Sequence, residues 1–295
     1  MFDRIFANYL AECGKLSGQN LKDIFSIQDS KRVRLGVIAV SEKLMTIEQV
    51  EEVNQLQAVL DKRFGDIAIE KGYLNNEQVG RLLVLQGNSY LAFVQSVVDG
   101  GYLSMEEIEN MLSQYQRENN FTLSNMEDLK SCDINRIMPI FLYNQPEMLR
   151  ELASVITRTL VRIVDFHTFI NKPSTISEYP YKAICSQVIG GDHRFLTAFS
   201  GDAQNSLMDI AVAFAGADNV DTKEDAVDAL CELVNCVNGL YASDMSNRDV
   251  DIDMEAPIGT LEEGVLKADK ILCIPAYVCG KQIDILLTMD QEHTM

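Results

Sequence analysis

Basic side chains are scarce in this sequence. Its 295 residues carry 25 Lys and Arg against 44 Asp and Glu, a formal net charge of −19 at pH 7. Both halves share the deficit, with 13 basic and 19 acidic residues over 1–130 and 12 and 25 over 131–295. Nucleic-acid phosphates need a basic footprint, which argues against DNA and RNA as partners, and the acidic balance is assigned to solubility. Histidine is rarer still: His167, His193 and His293 lie at no metal-ligand spacing from one another or from Cys, which argues against zinc. The seven cysteines (13, 132, 185, 231, 236, 273 and 279) include no Cys-x-x-Cys pair and mostly sit in apolar stretches, as reduced core residues of a cytoplasmic protein do. No apolar run approaches the ~18–20 residues that span a bilayer, and the start MFDRIFANYLAE lacks a signal-peptide h-region. The expectation is a cytoplasmic protein that does not engage a membrane. A Gly-x4-Gly-Lys loop is missing, which argues against nucleotide hydrolysis. Asp249-x-Asp251-x-Asp253 opens like a calcium loop, but Met254 stands where Gly is needed and Thr260 where Glu is needed, so it reads as the polar side of a strand. No metal site is expected in the chain.

What is present is organised in two parts. The length suits two domains, and 47% hydrophobic residues suffice for real cores. Residues 1–117 repeat with a period of 29, plainly in RLGVIAVSEKLMTIEQVEEVNQLQ (34–57) and RFGDIAIEKGYLNNEQVGRLLVLQ (63–86), and more weakly from Ile5 and Ala92. Gly14, Lys43, Gly72 and Gly101 are equivalent, as are Leu16, Met45, Leu74 and Leu103, and Leu21, Val50, Val79 and Ile108; Gln28, Gln57 and Gln86 end three of the copies. Each copy reads as a short helix, a turn, a capping residue and a second amphipathic helix, with Ser104-x-x-Glu107 as one capping box. An all-α repeat domain is expected.

Only the middle copies carry Arg-x-Gly, as Arg34-Leu35-Gly36 and Arg63-Phe64-Gly65. These tandem 24-residue motifs with a five-residue spacer resemble the N-terminal domain of MshE-type secretion ATPases. The resemblance implies cyclic di-GMP as a ligand of Arg34, Leu35, Gly36, Gln57, Arg63, Gly65 and Gln86. Arg can stack on guanine or fork a phosphate, and Gly admits close backbone approach. Phe64, Ala39, Ala68 and Lys43 depart from the family pattern. The competing reading is structural, with Gly for tight helix packing and Arg exposed.

Residues 118–138 lose the periodicity and gain Asn, Ser and Asp, as a linker would. The second domain, 139–295, reads as a helix opened by Pro146, a hairpin of strands 181–191 and 193–202, a helix near 203–216, a helix at 224–247, and strands at 249–255, 270–279 and 281–289. That order suits an α+β domain with helices on a largely antiparallel sheet.

In the helix at 224–247, Ala226, Val227, Leu230, Leu233, Val234, Val237, Leu240 and Tyr241 gather on one side and should pack inward. On the other, Asp228, Glu232 and Asn235 share a stripe that Gly239 continues. Glu-x-x-Asn recurs at Glu51/Asn54 and Glu107/Asn110, where no function is assigned. Only at 232–235 does it have a preceding Asp228, a following Asn238-Gly239 and a Pro, Pro257, 21 intervening residues later. This combination resembles the CheC/CheX/FliY group of chemotaxis phosphatases, whose spacer is one residue longer.

The resemblance implies a CheX-like fold and hydrolysis of the phospho-aspartate of a CheY-type response regulator in two-component chemotaxis signalling. Asn235 would orient the water, Glu232 would pair with the regulator's Lys, and Asp228 and Gly239 would serve docking. Mg2+ would belong to the regulator. Because Glu147 to Phe166 contains no second Glu-x-x-Asn, one catalytic centre is expected, together with CheX-like homodimerisation. The alternative is a non-catalytic cyclic di-GMP receptor or scaffold that docks response regulators.

Overall fold

The computed structural model describes residues 1–28, 33–60, 62–202 and 205–295, and it divides into two compact units, Phe2–Asp133 and Ile134–Met295.

The first unit is helical among the described residues: α1 (Phe2–Glu12), α2 (Gly18–Gln28), α3 (Leu35–Ser41), α4 (Ile47–Leu60), α5 (Phe64–Glu70), α6 (Asn76–Val84), α7 (Ser89–Asp99), α8 (Met105–Glu118) and α9 (Leu123–Lys130). A left-handed residue follows each of α1, α3, α5 and α7, at Gly14, Lys43, Gly72 and Gly101, with φ of 68°, 56°, 74° and 67°. Such residues end a helix by redirecting its last carbonyls, and only the second position lacks glycine. Two residues later Leu16, Met45, Leu74 and Leu103 are all buried. Capping boxes at Asn75/Gln78 and Ser104/Glu107 then start α6 and α8. The side chain of Gln28 lies outside the described residues.

The linker expected over 118–138 is helical instead. Thr122 and Asn125 form a capping box that starts α9, which buries Met126 and Leu129. Helix α10 (Ile134–Phe141) opens the second unit and buries Ile137 and Met138. The unit boundary therefore falls between 133 and 134. The polar residues there are caps rather than spacers, and Pro139, in the second turn of α10, does not mark the start of a domain.

The second unit continues with α11 (Glu147–Ile163), β1 (Phe169–Ile170), β2 (Ser174–Tyr181), β3 (Ile184–Gly191), β4 (Phe195–Ser200), α12 (Ser206–Ala215), α13 (Lys223–Ser246), β5 (Ile252–Met254), β6 (Ile258–Thr260), β7 (Gly264–Val278), β8 (Lys281–Met289) and β9 (His293–Thr294). Residues 203 and 204, at the expected start of α12, lie outside the described residues. The sheet is antiparallel in the order β1-β7-β8-β4-β3-β5, with β2 and β9 also paired to β7 and β6 to β3. This is the expected α+β architecture, with differences in its strands: the short β1, β6 and β9 have no counterpart in the expected order. Strand β2 was not foreseen, because it is mostly exposed and includes Pro180. Strand β7 begins at Gly264 rather than at 270, and β5 covers only Ile252–Met254 of the expected 249–255.

Strand alternation sorts the core. Cys185 and Ile189 of β3, Phe195 and Phe199 of β4, and Ile283, Ile285 and Leu287 of β8 pack with α11, α12 and α13 in one large cluster. Ile184, Leu196, Ala198 and Leu286 point the other way into a smaller one. All six residues of β4 are buried, as befits a central strand with both faces covered. The β7–β8 turn places Cys279 and Gly280 at φ of 52° and 72°, the pair of left-handed residues a tight two-residue hairpin demands.

Candidate active site

Helix α13 is held at both ends and along its length. At its start the Thr222 hydroxyl accepts from the Asp225 backbone N–H, while the Asp225 carboxylate accepts from the Thr222 N–H and hydroxyl. These bonds keep the Asp225 carboxyl below its ordinary pKa, the Thr222 hydroxyl contributing most. Further along, the Tyr241 hydroxyl donates to the Met148 carbonyl of α11 at 3.1 Å, and its ring packs edge-on to Phe195. Near the end, Arg248 pairs with Glu151 of α11 and with Asp244, each at 2.8 Å.

The inward face holds Ala226, Val227, Leu230, Leu233, Val234, Val237 and Tyr241, all buried. Leu240 is a correction: it is 40% exposed. At 100° per residue it falls beside Cys236, which is also exposed, on the edge of the outward face. The inward place is taken by Asn238, fully buried despite its polarity.

Outward stand Asp228, Glu232 and Asn235, all exposed, with Gly239 half-buried a turn later. A Cβ on Gly239 would meet only Met254 Cε, at 4.0 Å, so the surface beside Asn235 is low and open. Neither Asp228 nor Glu232 is hydrogen-bonded or ion-paired within the described residues, which leaves both carboxylates to solvent.

Asn235 is different. Its Oδ1 accepts from Gln187 Nε2 of β3 at 2.8 Å. The same Nε2 donates to the Glu255 carbonyl at 2.7 Å, and Gln187 Oε1 accepts from Asn238 Nδ2 at 2.9 Å. Asn238 Oδ1 in turn accepts from the Thr197 hydroxyl of β4 at 2.9 Å. Gln187 and Thr197 are cross-strand partners, and with Asn238 they are at most 1% exposed. The chain of bonds satisfies three buried polar side chains and joins helix, sheet and the segment after β5. It also gives Pro257 a place: Glu255 and Ile258 both pair along β3, so the chain through Pro257 returns beside the helix. A Cβ on Gly259 of β6 would lie 2.2 Å from Val227 Cγ1 and 2.9 Å from Cys231 Sγ, so that strand packs hard on α13. Under it the Cys185 thiol is pushed well up in pKa by its hydrogen bond to Cys231 and by burial, and is inert at neutral pH.

The sequence pattern brought Asp228, Glu232, Asn235 and Gly239 together correctly on one stripe. It missed Gln187 and Thr197, which lie in strands that read as apolar. The polar residues opposite one another in the expected hairpin were the available signal.

In the helical unit Gly36, Gly65, Gln57, Gln86 and Arg34 serve internal contacts. A Cβ on Gly36 would lie 2.6 Å from Val50 Cγ1 and 3.2 Å from Phe64 Cε2, and one on Gly65 would lie 2.9 Å from Val79 Cγ1. Val50 and Val79 are themselves equivalent in the repeat, so each glycine seats the first helix of a copy on its second. Gln57 Nε2 donates to the Lys62 carbonyl at 3.2 Å and Gln86 Nε2 to the Val33 carbonyl at 2.6 Å, in each case the residue just before an Arg-x-Gly. Arg34 is exposed and ion-paired with Asp99, Leu35 is half-buried, and Arg63 is exposed. Among the described residues no group of three or more His, Cys, Asp or Glu is arranged to hold a metal, and no helix is long and apolar enough to cross a membrane.

No family model matches the sequence, and no curated protein matches it. Several solved structures resemble the C-terminal half. The chemotaxis protein CheX from Desulfovibrio desulfuricans matches 49% of this chain and 99% of its own, at 13% identity and a TM-score of 0.43. CheX from Vibrio vulnificus matches 49% and 99%, at 15% identity and 0.39. A chain of the CheX–CheY–BeF3–Mg+2 complex from Borrelia burgdorferi matches 48% and 97%, at 16% identity and 0.40.

Proposed function

We propose that the second unit is a phosphatase for the phospho-aspartate of a CheY-type response regulator in chemotaxis signalling. The observation that carries this reading is the pairing, on one open helix face, of a carboxylate free of internal partners with an amide bonded from behind into the sheet. Hydrolysis of an acyl phosphate asks little covalent chemistry of a helper protein; it asks for a water held in line with phosphorus and for charge compensation. Asn235 supplies the first, since an amide orients water without adding negative charge beside the phosphoryl group. Glu232, three residues earlier on the same stripe, supplies a carboxylate for a regulator lysine and so docks the helix. Asp228 extends the acidic stripe, and the missing side chain at Gly239 lets the partner's backbone approach. In this reading the Mg2+ sits in the regulator, and no cofactor is held by this chain.

The test is the lifetime of a phosphorylated regulator with and without the protein. Asn235→Ala is expected to reduce the stimulated rate by about a hundredfold through loss of positioning. It should cost only about 1 kcal/mol of stability, because Gln187 keeps its bond to the Glu255 carbonyl. A regulator lifetime equally shortened by the variant would show that the activity resides elsewhere.

A further inference from the structure

We infer that Gln187 is a positioning residue that sets which end of the Asn235 amide faces the partner, an inference that rests on the phosphatase reading above. One backbone group decides the orientation. A carbonyl can only accept a hydrogen bond, so the group that Gln187 aims at the Glu255 oxygen, 2.7 Å away, must be its NH2. The second hydrogen of that NH2 then points at Asn235, 2.8 Å away, and requires an acceptor there. Asn235 therefore turns Oδ1 inward and Nδ2 outward. The rest of the chain agrees: Gln187 Oε1 faces the Asn238 NH2, and Asn238 Oδ1 faces the Thr197 hydroxyl. Each of these bonds runs from a donor to an acceptor, and reversing either amide would set like groups against each other.

The consequence is chemical as well as geometric. Asn235 meets the partner as a hydrogen-bond donor, with its rotation held by a buried side chain from the central sheet. A water that accepts one hydrogen bond from Nδ2 keeps a lone pair for phosphorus, so a donor can hold the attacking water in line. The residue responsible lies 48 positions away in sequence and is almost fully buried, at 1% exposure, so it does not itself reach the regulator.

Two measurements test this. In the intact protein, side-chain amide exchange followed by NMR should show the Asn235 NH2 exchanging like an exposed amide. The NH2 groups of Gln187 and Asn238 should exchange at least tenfold more slowly. An Asn235 NH2 as protected as those two would mean that it points inward and would overturn the inference, with no variant needed. The second measurement uses Gln187→Glu, whose carboxyl still accepts from Asn238 but carries at most one proton, taken by the Glu255 carbonyl, so that Asn235 meets an acceptor and must turn its NH2 inward. With a phosphorylated CheY-type regulator, the saturating rate should fall roughly ten- to hundredfold while the half-saturating concentration stays unchanged. Loss confined to the half-saturating concentration, or an unchanged rate in a folded variant, would sink the role of Gln187. These outcomes separate from failure of the phosphatase reading itself. In that case Asn235→Ala would be as active as the parent protein; if only the present inference fails, Asn235→Ala is inactive and Gln187→Glu is not.

Discussion

Gly36 and Gly239 both belong to short motifs visible in the sequence, and they do opposite things. A side chain at Gly36 would run into Val50 and Phe64, whereas one at Gly239 would find only the tip of Met254 at 4.0 Å. The residues around them divide in the same way. In the helical unit Gln57 and Gln86 spend their amides on backbone carbonyls, and Arg34 pairs with Asp99. On α13, Glu232 and Asp228 face solvent, and the amide nitrogen of Asn235 is the end left outward. A repeated motif can be repeated because every copy must pack alike. A motif that occurs once with its polar groups left open has no such internal explanation.

The sharpest attempt to break this contrast is steric. Gly36→Val should cost about 1–3 kcal/mol in chemical denaturation through overpacking against Val50. Gly239→Ala should leave stability level or raise it by about 0.5–1 kcal/mol, as expected for glycine replaced within a helix. A neutral Gly36→Val together with saturable heat on titration of cyclic di-GMP would turn the first motif from a packing device into a binding site. Next in size is charge reversal at Glu232. Glu232→Lys should weaken regulator binding about tenfold, or about 1.4 kcal/mol, with an unchanged melting temperature. Binding indifferent to that reversal would place the interface on another face.

The smallest effect probes the repeat turn. Lys43 holds φ of 56° where its three equivalents are glycines. Lys43→Gly should stabilise by about 0.5–1 kcal/mol, the relief of left-handed strain exceeding the added flexibility of the unfolded chain. A loss of stability would mean that the lysine side chain contributes more than its backbone costs.

Much of this was legible because it follows from periodicity. The 29-residue spacing located the left-handed turns, and the apolar stripe of 226–241 located the buried face of α13, apart from Leu240. That residue was placed inward by its hydrophobicity, while the angular position it shares with Cys236 puts it at the edge. The stretch 118–138 reads as a linker because the residues that cap helices also compose linkers; what separates the cases is the reciprocal bonding of Thr122 and Asn125, a matter of geometry. Strand β2 is silent because a mostly exposed edge strand needs no strong alternation. The amide chain was illegible for a different reason. Gln187 and Asn238 are tolerable in the core only through each other, and a linear sequence does not show that residues 51 positions apart meet.

That mutual dependence governs how this core can be changed. The carbonyl of Glu255 sets a direction that passes through Gln187 to Asn238 and Thr197 on one side and to Asn235 on the other. Loss of any one of the three buried side chains, Gln187, Thr197 or Asn238, leaves a buried donor or acceptor unpaired. Replacing one of these three alone therefore strands a polar partner in the core, whereas replacing all three together with apolar residues of like shape strands none.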